Sequence, residues 1–138
     1  MSETQRILII DDEEIIREAF TLALENSGYL VDTAETGDRG LQMAQNVLYD
    51  LILLDLKMPG MNGITVLRKL RDMNGNIPVY IITAFQREFF EQLQSIEEEG
   101  IAFELIRKPL SHDQIIMVVQ SILTSPQKVL QQEKRCMS

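Results

Sequence analysis

An α/β fold, a parallel sheet covered by helices on both faces, is predicted by three features of this 138-residue chain. Short apolar runs alternate with longer segments of helical period from Arg6 to about Leu123, the order that builds successive βα units. One run, Leu51-Ile52-Leu53-Leu54, is apolar throughout, as expected of a strand covered on both faces. The runs also end on residues that can do chemistry. Ile7 to Ile10 lead into Asp11-Asp12, Leu51 to Leu54 into Asp55, Val79 to Ile82 into Thr83-Ala84, and Phe103 to Ile106 into Arg107-Lys108-Pro109. In a parallel sheet all strand C-termini share one edge, where such sheets place their sites.

The first strand reads from Arg6 to Ile10, followed by a helix from about Glu13 to Asn26 whose Ile16, Phe20, Ala23 and Leu24 recur on one face. Gly28 ends it, and Tyr29 to Ala34 form the second strand. Thr36 can cap a helix running to about Leu48, with Leu41, Ala44, Val47 and Leu48 inward. After the third strand, Leu51 to Leu54, comes the loop Lys57 to Gly63 and a helix from about Ile64 to Asp72. Asn74-Gly75-Asn76 is a turn, and Pro78 opens the fourth strand where it is tolerated. A helix from about Gln86 to Glu99 stops at Gly100. After the fifth strand, Ser111 with Gln114 reads as a capping box for a last helix to about Leu123. Ser125-Pro126 breaks it. Residues 1–124 are therefore expected to form one domain, and 125–138 a C-terminal tail or a truncated linker.

Hydrophobic residues make up 45% and charged residues 25%, the profile of a globular protein with a real core. The apolar runs fall well short of the ~20 residues of a membrane helix. Met1 to Arg6 lack the pattern of a secretory signal. A lone Cys136 in a polar tail cannot pair internally, which fits a reducing cytoplasm. A net charge of −8 argues against nucleic-acid binding by this domain, since phosphate contacts need a basic face.

Two adjacent aspartates at a strand end repel unless a cation shares them. Asp11, Asp12 and Asp55 together offer clustered oxygen ligands that suit Mg2+ and leave room for a phosphate. Asp55 is a plausible nucleophile, able to attack a phosphoryl group and form an acyl phosphate. Such a transfer needs positioning and charge neutralisation, which Lys108 and the Thr83 hydroxyl can assist. Glu13 and Glu14 read as helix-start acids favoured by the helix dipole. The only histidine, His112, reads as a solvated residue at the start of the last helix, and the absence of a second argues against an internal phosphorelay.

On Asp11-Asp12, the stretch Asp55-Leu56-Lys57-Met58-Pro59-Gly60-Met61-Asn62-Gly63, Thr83-Ala84 and Lys108-Pro109, the chain resembles the receiver domains of two-component response regulators. The resemblance covers nearly everything from Arg6 to Leu123. It implies a flavodoxin-like fold of five parallel strands in the order 2-1-3-4-5 with five helices, the order that general principles already associate with a regulator of this type. It implies phosphorylation of Asp55 by a sensor histidine kinase, with Thr83 and Lys108 assisting, and no enzymatic activity beyond the chain's own phosphoryl transfer and dephosphorylation. Asp12 and Asp55 would ligate Mg2+ directly, Asp11 through water, and Lys57 through its backbone carbonyl. Lys108-Pro109 would be a cis peptide.

Two departures stand out. The position three residues before the lysine, often aromatic in the family, is Leu105, with Phe103 on the same sheet face at a different depth. The stretch from Thr83 to Lys108 is also somewhat long. Lys57 and Phe85 would flank the phosphoryl group and hinder attack by water, giving a long-lived phosphoform. Of the pair Phe89-Phe90, one exposed ring would suit a partner or dimer contact through the fourth helix, fifth strand and fifth helix. The alternative is a receiver-like interaction module independent of phosphorylation, which Leu105 keeps open. A hydrolase of the aspartyl-phosphate type would need an acid where Lys57 stands. Flavin binding would need a phosphate loop where Asp11-Asp12 stand. No output domain follows Leu123, so a stand-alone receiver and a fragment are both expected possibilities.

Overall fold

The computed structural model describes residues 4–73, 76–84, 87–101, 103–108 and 110–124. The expectations for Asn74-Gly75, Phe85, Gln86, the Lys108-Pro109 peptide, Ser125-Pro126, Cys136 and the tail 125–138 fall outside those residues. Strands β1 (Arg6–Ile10), β2 (Leu30–Ala34), β3 (Leu51–Leu54), β4 (Val79–Thr83) and β5 (Glu104–Arg107) alternate with helices α1 (Glu14–Glu25), α2 (Gly37–Asn46), α3 (Gly63–Met73), α4 (Phe90–Glu98) and α5 (His112–Thr124). The sheet is parallel, as the alternation of elements predicts, in the order β2-β1-β3-β4-β5 that the family resemblance implies. No described helix is long and apolar enough to cross a membrane.

Successive side chains of a strand point to opposite faces, so the central strands divide their apolar residues between two cores. Leu8, Ile10, Ile52, Leu54, Val79 and Ile81 pack with Leu41 of α2, Leu67 and Leu70 of α3, and Leu93 and Ile96 of α4. Ile7, Ile9, Leu51, Leu53 and Ile82 pack with Phe20 and Leu24 of α1 and Ile115 and Val119 of α5. All four residues of β3 are buried, which explains its unbroken apolar run.

Local signals end the elements where expected. Gly28 and Gly100 have φ of 94° and 85°. After each, the next amide reaches five residues back, Tyr29 to the Leu24 carbonyl at 3.1 Å and Ile101 to that of Ile96 at 3.2 Å, the Schellman closure of a helix. The Thr36 hydroxyl accepts from the Arg39 amide at 3.1 Å. Ser111 and Gln114 bond reciprocally, at 2.8 Å and 3.1 Å, ahead of α5.

Four expectations need correction. Leu48 is 80% exposed rather than inward, because α2 stops at Asn46 and Val47 is already extended. Tyr49 is buried instead, its hydroxyl 2.7 Å from Asp32 Oδ2. Helix α4 starts at Phe90, with turn at residues 87–89. Strands β2 and β5 each start one residue late, at Leu30 and Glu104, and Phe103 packs on the first core ahead of β5.

The close approach of α3 to β3 rests on Gly63. A Cβ there would lie 2.3 Å from the Asp55 carbonyl oxygen and 2.7 Å from Leu56 Cα, and the Gly63 amide donates to the Leu56 carbonyl at 2.8 Å. Backbone atoms cannot swing aside as a side chain can. Gly63→Ala is therefore expected to cost about 1–3 kcal/mol, read from urea unfolding; a loss within experimental error would show that α3 can back away freely.

Candidate functional site

The sheet ladder continues one residue past the strand ends. The Asp11 amide donates to the Ala34 carbonyl at 3.0 Å, the Asp55 amide to that of Ile10 at 2.9 Å, and the Lys108 amide to that of Thr83 at 3.0 Å. Asp11, Asp55, Thr83 and Lys108 thus lie along one edge, held by backbone bonds. Asp11, Asp55 and Thr83 are buried.

Ligand-capable oxygens of Asp11, Asp12 and Asp55 lie within 4.8 Å of one another. The Lys108 ammonium reaches into this group. Its Nζ is 2.8 Å from Asp11 Oδ2, 3.2 Å from Glu13 Oε1 and 3.7 Å from Asp55 Oδ2. Asp11 Oδ1 accepts from the Glu13 amide, and Asp55 Oδ1 from the Leu56 amide, both at 2.9 Å. Thr83 shares the edge and is tied to Lys108 through its carbonyl. The Lys57 ammonium lies 3.4 Å from Glu88 Oε1.

Two contributors escaped sequence reasoning. Glu13 is the N-cap of α1, yet its side chain makes no capping bond and instead contacts Lys108. Arg17 donates from Nη1 to the Asp11 carbonyl at 2.8 Å. A local pattern of acids at a helix start has no means of naming a lysine 95 positions away, so the helix-dipole reading of Glu13 is incomplete.

The family profile described as response regulator receiver domain matches residues 7–120, which brackets every one of these residues. This chain belongs to that family. The transcriptional regulatory protein ResD of Bacillus subtilis is 36% identical over 118 residues, covering 86% of this chain and 48% of ResD. A cyclic di-GMP phosphodiesterase of Thermotoga maritima is 35% identical over 105 residues, 76% of this chain and 27% of its own length. The receiver thus spans about half or less of these relatives. Among solved structures, a CheY-like receiver domain protein of Methanospirillum hungatei has a TM-score of 0.78 at 27% identity, covering 96% of this chain and 99% of that one. Response regulator TrrA of Thermotoga maritima, in complex with Mg2+ and BeF, has a TM-score of 0.74 at 32% identity, covering 87% and 100%. Receiver domains of two-component response regulators serve phosphorylation-based signalling, and the acidic pocket is consistent with that chemistry.

The receiver's electrostatics follow from where the acids sit. Below Asp11 and Asp55 lie Ile9, Ile10, Ile16, Phe20, Leu53, Leu54 and Ile82, which cannot solvate charge. Burial is the chief cause that pushes Asp55 up to about 6, with the Asp11 charge adding to it and Lys108 only partly offsetting it. Burial likewise raises Asp11 against the pull of Lys108 and the Glu13 amide. Burial works against the Lys108 ammonium, but its hydrogen bond to Asp11 and the charges of Asp55 and Asp11 outweigh it, so its pKa is raised. An all-oxygen, carboxylate-rich donor set with too little positive charge fits a hard divalent cation such as Mg2+. A surface depression of about 840 Å³ beside α2 and α3 shares none of these side chains.

A carboxyl whose pKa rises on folding, here from 3.8 to about 6, binds more protons folded than unfolded between those values. Stability in the metal-free protein is therefore undiminished below about pH 4 and falls as pH rises to about 6. Asp55→Asn is expected to stabilise the metal-free protein at pH 7 by about 1–3 kcal/mol, an advantage that vanishes by pH 4. Urea titrations of both proteins at the two pH values measure it, and equal stability at pH 7 would refute the strain.

Proposed function

We propose that this receiver is a phosphorylation-dependent switch that accepts a phosphoryl group on Asp55 from a sensor histidine kinase with Mg2+. The observation that carries the reading is the convergence of three carboxylates within 4.8 Å, with the Lys108 ammonium between Asp11 and Asp55. Asp12 and Asp55 would hold Mg2+ directly, Asp11 through water, and the Lys57 carbonyl would add a ligand. When bound, the cation supplies neutralisation of charge on the phosphoryl oxygens. The TrrA complex with Mg2+ and BeF supports the cation by likeness.

An Asp55 carboxylate oxygen attacks phosphorus, the O–P bond forms, and the donor's N–P bond breaks with its electron pair returning to the imidazole. Lys108 then exchanges a carboxylate for a phosphoryl oxygen, and the Thr83 hydroxyl donates to another. Movement of Thr83 and Lys108 would bias the face of α4, β5 and α5 between two arrangements. That face carries Phe90, Leu105 and Met117, 63%, 43% and 67% exposed, a surface suited to an output partner or a dimer. We assign residues 1–124 to the receiver and 125–138 to a tail or linker, and the chain to the cytoplasm. The net charge of −8 argues against nucleic-acid binding by the receiver itself. ResD, a transcriptional regulatory protein, is about twice the length that the receiver matches.

Intact mass after a small-molecule phosphodonor tests the switch. One adduct is expected that needs Mg2+ and disappears in Asp55→Ala. No adduct in the wild type would favour an interaction module independent of phosphorylation, with Leu105 as the first suspect. Lifetime is a separate expectation: the wild-type phosphoform should lose phosphate several-fold more slowly than a Lys57→Asn, Phe85→Glu variant, and equal rates would remove the shielding role.

A further inference from the structure

Asp11 has each of its polar groups engaged by a different part of the fold. Its amide bonds the Ala34 carbonyl of β2, its Oδ1 the Glu13 amide, its Oδ2 Lys108. The fourth group, the carbonyl, lies past the end of β1 and would otherwise face the α1 entrance. Arg17, one turn into α1, donates to it from Nη1 at 2.8 Å. The Arg17 side chain is 17% exposed, and its nearest carboxylate, Glu35 Oε2, is 4.0 Å from Nη2 and 72% exposed. So loose a surface pair holds little energy. Among the described residues, the principal polar tie of this guanidinium is therefore to the backbone.

The carbonyl of Asp11 and the amide of Asp12 belong to one rigid peptide plane. Holding the carbonyl sets that plane and so places the Asp12 Cα at its far end, leaving rotation about the Asp12 N–Cα bond as the remaining backbone freedom in where its side chain departs. Asp12 is the most accessible of the three clustered acids. We infer that Arg17 is a positioning residue for the cation site, fixing Asp12 through the Asp11–Asp12 peptide. The inference rests on the Mg2+ reading of the site given above.

Charge and geometry predict opposite outcomes, which makes the inference testable. Arg17 is a cation beside a site for a dication, so by Coulomb's law its removal alone would tighten Mg2+ binding. Loss of positioning would weaken it. Calorimetric titration with MgCl2 is expected to give a Kd roughly 5-fold weaker in Arg17→Met, the scale of one lost hydrogen bond. Arg17→Lys, which keeps the charge but not the planar fork, is expected to weaken binding by about 2-fold on the same scale. Independently of metal, the Asp11 carbonyl carbon resonance should move in metal-free Arg17→Met while those of the α5 core stay in place. Binding that is unchanged or tighter in Arg17→Met, beside a wild type that binds, overturns the inference and leaves the proposed function standing. A wild type that does not bind Mg2+ overturns both. Should Arg17→Met fail to fold, unchanged affinity and an unmoved Asp11 resonance in Arg17→Lys would equally overturn it.

Discussion

Asp11 and Asp55 must both end buried strands, and neither can move without unpicking the sheet. Parallel register aligns Ile10 with Leu54, so the residues that follow them come to the same edge, and apolar side chains close the space beneath. Like charges in such a place repel strongly because little solvent screens them. Lys108 answers part of that repulsion, bonding Asp11 at 2.8 Å while standing 3.7 Å from Asp55. The rest remains as the raised pKa values. The metal-free edge is held in a tense arrangement of the kind that a bound cation would relieve.

Rigid surroundings make that tension sustainable. The acids hang from ladder bonds, Gly63 lets α3 lie directly on the Asp55–Leu56 backbone, and Arg17 pins the Asp11 carbonyl. Away from the edge, Lys57 with Glu88 and Arg68 with Glu99 join the β3–α3 unit to the α4 segment. These pairs are exposed and add little stability. Beneath them α4 packs on one face of the sheet through Leu93 and Ile96, as α1 and α5 pack on the other.

Much of this was legible in the chain. The two-faced apolar pattern of β3, the capping box at Ser111 and the glycine stops are local signals, each decided by a few neighbouring residues, whereas the strand order came from the family resemblance. The strand-end residues Asp11, Asp12, Asp55, Thr83 and Lys108 were legible for the same reason, once a parallel sheet was inferred. Leu48 was misread because a helix that ends two residues early no longer carries its period inward. Phe89 and Phe90 were equivalent on paper, and packing buried the first and exposed the second.

Tertiary structure decided which of these groups touch. Lys108 has three acids in reach, and its choice of Asp11 and Glu13 over Asp55 depends on distances across separations of 97 and 95 residues. Whether Arg17 turns to a carboxylate or to a carbonyl depends likewise on where β1 ends relative to α1. The sequence by itself determined the fold, the edge and the kinds of group that meet there, because periodicity and chain punctuation act over a few residues. The pairings were left to the folded state, because hydrogen bonds discriminate at tenths of an ångström and no spacing along the chain specifies a distance across it.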